Sequence, residues 1–185
     1  MKPRRIVRQL LMLMIVVINV GCDQITKNIV RQEIGYSEHI MVINHLLTLT
    51  KIENSGAFLS LGDSLAEPLK FILLTLLPCM AMAFGLYFLF SKTNAAKMFL
   101  VGLCFVIGGG IGNLYDRLLY GSVTDFLHMD FVIFQTGIFN MADVSIMVGM
   151  GILIIHTYLM PKLALSTDAN REEDNEPEGN YRGGT

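Results

Sequence analysis

At 185 residues the chain has the length of a single domain. It is 52% apolar and only 16% charged, whereas soluble domains carry roughly a quarter charged residues, so the composition is that of a membrane protein. The net charge of −2 argues against nucleic acid as a partner, and three cysteines (Cys22, Cys79, Cys104) without metal-like or CxxC spacing read as small buried residues.

The N-terminus is basic (Lys2, Arg4, Arg5, Arg8) and runs into apolar sequence ending in VINVGC at 17–22, which has the look of a signal peptide cut before a lipidated cysteine. Asn19 stands where such a site carries an apolar residue, often Leu, so the stretch reads instead as the chain's own first helix. The charge-free run 10–22 is too short to cross a bilayer and becomes long enough only by continuing through Asp23 and Lys27 to about Val30. Further spans are predicted at 69–90, 98–116 and 141–160, the second of them with only Lys70 charged. Four spans place both termini on one side. The basic residues before the first span, Lys92 and Lys97 in the link at 91–97, and Lys162 after the fourth make that side cytoplasmic.

The segments 31–68 and 117–139 are then extracytoplasmic. Residues 40–50 and 57–61 are rich in Ile, Val, Thr, Leu and Phe, with Glu53-Asn54-Ser55-Gly56 reading as a turn, and predict a small sheet or hairpin at the membrane surface. The polar, acidic tail at 166–185 reads as disordered.

Ionisable residues in or beside a span are expensive and ask for a reason. Asp23 and Lys27 share a helix face at i, i+4, as do Asn113 and Arg117, and the glycine-rich run 108–112 suits close helix packing. Asp125 follows a strand-like stretch and Asp143 opens a span. If two such carboxylates meet in a poorly solvated site, like charge pushes one to hold its proton, the arrangement of an aspartic peptidase. The residues alone also leave open a transporter or channel, whose ion path polar helix ends would line. A metal site at Asp125, His128 and Asp130, or a serine nucleophile at Ser55 or Ser60, finds less support: there is no HExxH and no paired base.

Five blocks carry a resemblance: DQITK at 23–27, NSGAF at 54–58, GGGIGNLYDR at 108–117, VTDF at 123–126 and FNMAD at 139–143. In order and spacing they closely resemble bacterial lipoprotein signal peptidase (signal peptidase II), over about residues 10–158. Phe58 and Thr124 depart from residues common in that family. The resemblance implies an all-α membrane protein, four transmembrane helices with a small extracytoplasmic β-cradle and a short surface helix, built as one peptidase domain at 1–165 followed by a disordered acidic cytoplasmic tail. It implies an aspartic endopeptidase of the bacterial inner membrane that cuts diacylglyceryl-modified prolipoproteins before the lipidated cysteine and is inhibited by globomycin. The catalytic pair maps onto Asp125 and Asp143. The substrate-binding and orienting set maps onto Asp23, Lys27, Asn54, Gly56, Asn113, Arg117, Asn140 and Ala142. No metal or organic cofactor is expected. The expected partners are the prolipoproteins and membrane lipid, with the enzyme a monomer.

Overall fold

A computed structural model describes residues 3–44, 46–57, 62, 64–91 and 95–159. The acidic tail, residues 58–61 of the second expected strand, Ser60, and Lys2, Lys92 and Lys162, which were expected on the cytoplasmic side, lie outside the described residues.

Four helices are long and apolar enough to cross a membrane: Arg5–Glu33, Glu67–Ser91, Lys97–Tyr120 and Met141–Tyr158. The first is the single helix α1, Pro3–Glu33, unbroken through Gly21-Cys22 and carrying Asp23 and Lys27 in its interior. The second comprises α2 (Glu67–Phe71) and α3 (Leu77–Ser91) joined by a π-helical turn at Ile72–Leu76. The third is α4 (Lys97–Tyr120), ended by Gly121, whose φ of 75° supplies the left-handed residue that closes a helix C-terminus. The fourth is α5 (Met141–Ile154) with a final π-helical turn at Ile155–Leu159.

The helices pack through a narrow seam and leave long apolar side chains facing outward, among them Leu10, Val17, Phe84 and Tyr87, as expected of elements solvated by lipid. Met12, Val16, Leu89, Leu100, Cys104 and Ile107 form the buried cluster between α1, α3 and α4. Cys104 is buried, but Cys22 and Cys79 are exposed, against the expectation from sequence. Both sit on outward faces of spans, where a small apolar side chain meets lipid at little cost.

The sheet differs from the expected hairpin. The apolar run at 40–50 is two antiparallel strands, β1 (His39–Ile43) and β2 (Leu47–Asn54), closed by a tight turn in which Leu46 N–H donates to Ile43 O at 3.0 Å. Glu53 and Asn54 are therefore the end of β2 and not a turn. The partner of β2 on its other side is β3 (Val123–Met129), again antiparallel, giving the order β1-β2-β3. No separate surface helix occurs among the described residues. Val30, Ile34 and Phe126 bury one another and fix β3 against α1. Chain connectivity brings α1, α2, α4 and α5 to the sheet by one end each, so all four spans meet it on the same side.

Candidate active site

The glycines of α4 decide how closely the sheet-side helix ends approach. A Cβ on Gly109 would run into the carbonyl oxygen of Ala142, and one on Gly112 would lie 2.6 Å from Asp23 Oδ2. Only hydrogen at these two positions lets α4 touch α1 and α5 together.

Into that contact the sequence places a group of charges. Lys27 Nζ lies 2.8 Å from Asp23 Oδ2, 3.0 Å from Asp116 Oδ2 and 2.9 Å from Asn113 Oδ1, using all three ammonium protons. Asp23, Lys27 and Asp116 are all fully buried. Asp116 also pairs with Arg31 at 2.9 Å and accepts from Gln24 Nε2 at 3.0 Å. Arg31 lies over the ring of Tyr120, 4.2 Å from its centroid. Asp23 Oδ1 accepts the backbone N–H of Ala142 at 2.8 Å, satisfying an amide at the start of α5.

Lys27 has a second effect. It draws the carbonyl oxygen of Asn113 toward itself, so the amide nitrogen faces the other way and donates to Asp143 Oδ1 at 2.8 Å. Asp143 Oδ2 accepts the backbone N–H of Asn140 at 3.1 Å, and Asp143 N–H returns a bond to Asn140 Oδ1 at 3.0 Å. This reciprocal capping box starts α5. The free amide nitrogen of Asn140 then donates to Asp125 Oδ1 at 2.6 Å, and Asn54 Nδ2 donates to Asp125 Oδ2 at 2.9 Å. One asparagine thus bridges Asp125 and Asp143, and each of the four carboxylate oxygens receives one neutral N–H. Burial first, and the nearby charge of Asp143, push the Asp125 carboxyl up to about 6, although the bonds from Asn54 and Asn140 act to lower it.

A cleft of about 40 Å³ lies between these groups, lined by Asn54, Asn113, Arg117, Asp125, Asn140 and Asp143 among others. That is room enough to hold water. Arg117 Nη2 donates to Gly56 O at 2.8 Å, while Asn54 Oδ1 accepts from Gly56 N–H at 3.0 Å. The Nε of Arg117 is buried and has no partner among the described residues. A larger cavity of about 460 Å³ opens over the sheet and shares Asn54 and Asp125 with the cleft.

Of the residues singled out from sequence, Asp125, Asp143, Asn54, Asn113, Arg117 and Asn140 line the cleft. Gly56 is tied to two of them through its backbone. Asp23, Lys27 and Ala142 are fully buried behind it. Ser55 Oγ accepts from Lys70 Nζ at 3.0 Å. Among the described residues no three His, Cys, Asp or Glu side chains gather as a metal-binding group. Asp116 joins the group at the interface where the polar helix ends were expected to meet, and Gln24 and Arg31 complete it without having been expected there. Their signal was the placing of residues 24, 27 and 31 against 112, 113 and 116, both sets at helical spacing. Thr124, a departure from the family pattern, is fully buried and fits this network: Arg31 Nε donates to its hydroxyl at 2.8 Å, which donates to Glu53 at 2.9 Å.

The family model described as signal peptidase (SPase) II matches residues 15–159. Lipoprotein signal peptidases of Aquifex aeolicus and Streptococcus pneumoniae are each 34% identical to the chain, over 80% and 84% of it and 86% and 94% of their own lengths. The fold is similar to two solved bacterial membrane enzymes, with TM-scores of 0.69 and 0.70 at 26% and 27% identity. These superpositions cover 90% and 80% of this chain and 94% and 92% of the others.

Proposed function

The chain belongs to the signal peptidase II family, and from that premise we propose that it removes signal peptides from diacylglyceryl-modified prolipoproteins, cutting before the lipidated cysteine with Asp125 and Asp143 as a catalytic pair. One observation carries this reading: the two carboxyl groups flank a cleft with room for water and are held by neutral amides alone. Asp125 is buried and neither carboxyl group is bonded to a cation among the described residues, so Asp125 holds its proton up to about pH 6, well above the usual carboxylate range.

In the reaction a water sits between the carboxyl groups. The ionised one takes its proton as the oxygen attacks the scissile carbonyl carbon; the protonated one donates to the carbonyl oxygen. Collapse of the tetrahedral species breaks the C–N bond, and the leaving nitrogen takes up a proton from the pair. The two groups are bridged by one asparagine, and the acid and base roles belong to them jointly. The unpartnered N–H of Arg117 suits a substrate backbone carbonyl, and the groove over the sheet suits the extended chain leading to the cleft. Asp23, Lys27 and Ala142 act from behind, by holding Asn113 and the start of α5 in place.

The basic residues before α1 and in the link at 91–97 put both termini in the cytoplasm and the sheet outside, in the inner membrane. The protein works there as a monomer, and globomycin binds at the cleft. The test is mass spectrometry of a prolipoprotein incubated with the purified protein. A mature product beginning at the lipid-modified cysteine is expected; equal cleavage of the unmodified precursor, or a cut elsewhere, would overturn the reading.

A further inference from the structure

β3 continues past the sheet into a loop whose side chains are unlike those of an ordinary solvent-facing turn. Val132 and Ile133 are 92% and 89% exposed, and Phe131 and Phe134 flank them. The loop is ordered by its own bonds. Phe131 N–H donates to Phe134 O at 2.9 Å, and Asp130 Oδ1 and Oδ2 accept from Val132 N–H at 2.9 Å and Gln135 Nε2 at 2.7 Å. The rings of Phe131 and Phe134 stack at 4.7 Å.

Val132 has a φ of 71°, a left-handed conformation that a β-branched residue adopts only at a cost in backbone energy. The loop spends that energy to display two apolar side chains, an arrangement that water penalises twice. Its one carboxylate, Asp130, is turned inward onto loop donors, so the apex presents no charge.

The apolar surface continues beyond the loop. Register aligns Ile43 with Leu47 and Leu47 with Met129, next to the loop, and β1 is exposed along its whole length, with Ile40, Met41 and Val42. The far end of the sheet is therefore apolar across all three strands. Its tether is short. From Val123, three residues beyond α4, to Val132 is at most about 30 Å of extended chain, at roughly 3.3 Å per residue. A tip held that close to the end of a membrane span meets the bilayer surface at high effective concentration.

We propose that the tip formed by Phe131, Val132, Ile133 and Phe134 inserts into the boundary between headgroups and acyl chains of the leaflet entered by the sheet-side ends of the spans. Apolar residues at its apex and aromatic rings at its base match the two depths of that boundary. Insertion fixes the tilt of the sheet, and of the groove on it, relative to the membrane. This inference rests on the four spans and the loop, and not on the chemistry assigned to the aspartates.

The chain contains no tryptophan, so Ile133→Trp makes a single-emitter reporter at a site exposed enough to leave the fold intact. In vesicles of phosphatidylethanolamine and phosphatidylglycerol, its emission is expected to shift to the blue and to lose most of its intensity to lipids brominated in the acyl chain. Phe134→Trp is expected to be quenched more strongly by bromines nearer the headgroup. Water-like emission quenched by aqueous acrylamide would overturn the proposal. So would blue-shifted emission that brominated lipid leaves untouched, which would mean that protein covers the tip.

Discussion

Asp23 and Asp116 meet cations; Asp125 and Asp143 meet amides. The two pairs lie close together and are joined through Lys27 and Asn113, yet they are held in opposite ways. In the first group Lys27 and Arg31 compensate the carboxylates, every proton of the ammonium is used, and nothing remains for a substrate. In the second, four N–H donors hold the carboxylates in place but leave their charges uncompensated by any bonded cation among the described residues. A fixed ion network of the first kind orients side chains. A pair of the second kind stores electrostatic cost that proton transfer can release. Stability is expected to come from the first and to be lost to the second.

The comparison breaks most sharply by mutation of the amide-held pair. Asp125→Asn or Asp143→Asn is expected to lower turnover of lipid-modified prolipoprotein by about a thousandfold or more, since each removes one half of the acid–base chemistry. Asp125→Asn should leave the protein folded and, at pH 7, melting at or above the parent. The sign follows from linkage: with its pKa about 6 in the folded protein against 3.8 for an unperturbed aspartate, native Asp125 binds more protons than the unfolded group between those limits. The parent therefore gains stability from Asp125 protonation at low pH and loses it as pH rises through about 6. Calorimetry of the two proteins from about pH 4 to 7 should show the difference moving in favour of the variant; a difference that is flat or reversed would contradict the assignment.

Lys27→Met attacks the cation-held group instead. Removing one partner of a buried ion cluster typically costs about 3–5 kcal/mol, because the remaining charges stay buried and unpaired. Loss of folded protein, or a melting temperature far below the parent, is expected from a residue that does not line the cleft. A variant with normal stability would show that the group is not structural. A smaller effect is expected at Asn54. Its amide favours the charged form of Asp125, so Asn54→Ala should raise the Asp125 pKa and move the alkaline limb of the activity profile to higher pH, whatever happens to its height. A limb that moves down, or stays put, would separate Asp125 from the titration that governs the rate.

The parts of this molecule legible in its sequence are those fixed by local pattern. Charge-free runs located α2–α3, α4 and α5, and the shortness of the run at 10–22 required α1 to continue past Asp23 and Lys27. The sheet was legible only in part. Its β2–β3 pairing joins Asn54 to Val123 across two spans, and no local periodicity reports so distant a partner. Asn44 could have marked the turn between β1 and β2, but the polar cluster at 53–56 gave the stronger turn signal although it ends a strand. For the site, the five sequence blocks identified the cleft-lining residues. Spacing alone could not show that Asn140 bridges both aspartates, because that bond depends on the capping geometry of α5. Nor could it show that Arg31 and Asp116 meet, since their contact depends on glycines that let two helices touch.

The central claim is that Asp125 and Asp143 act as one unit on one water. Its most direct test compares turnover of Asp125→Asn, Asp143→Asn and the double variant on the same prolipoprotein, each checked for folding. Residues that work as a unit are strongly non-additive, so the double variant is expected to be no slower than the slower single variant within a few-fold. Losses that multiply, or near-parental turnover in either single variant, would contradict the account.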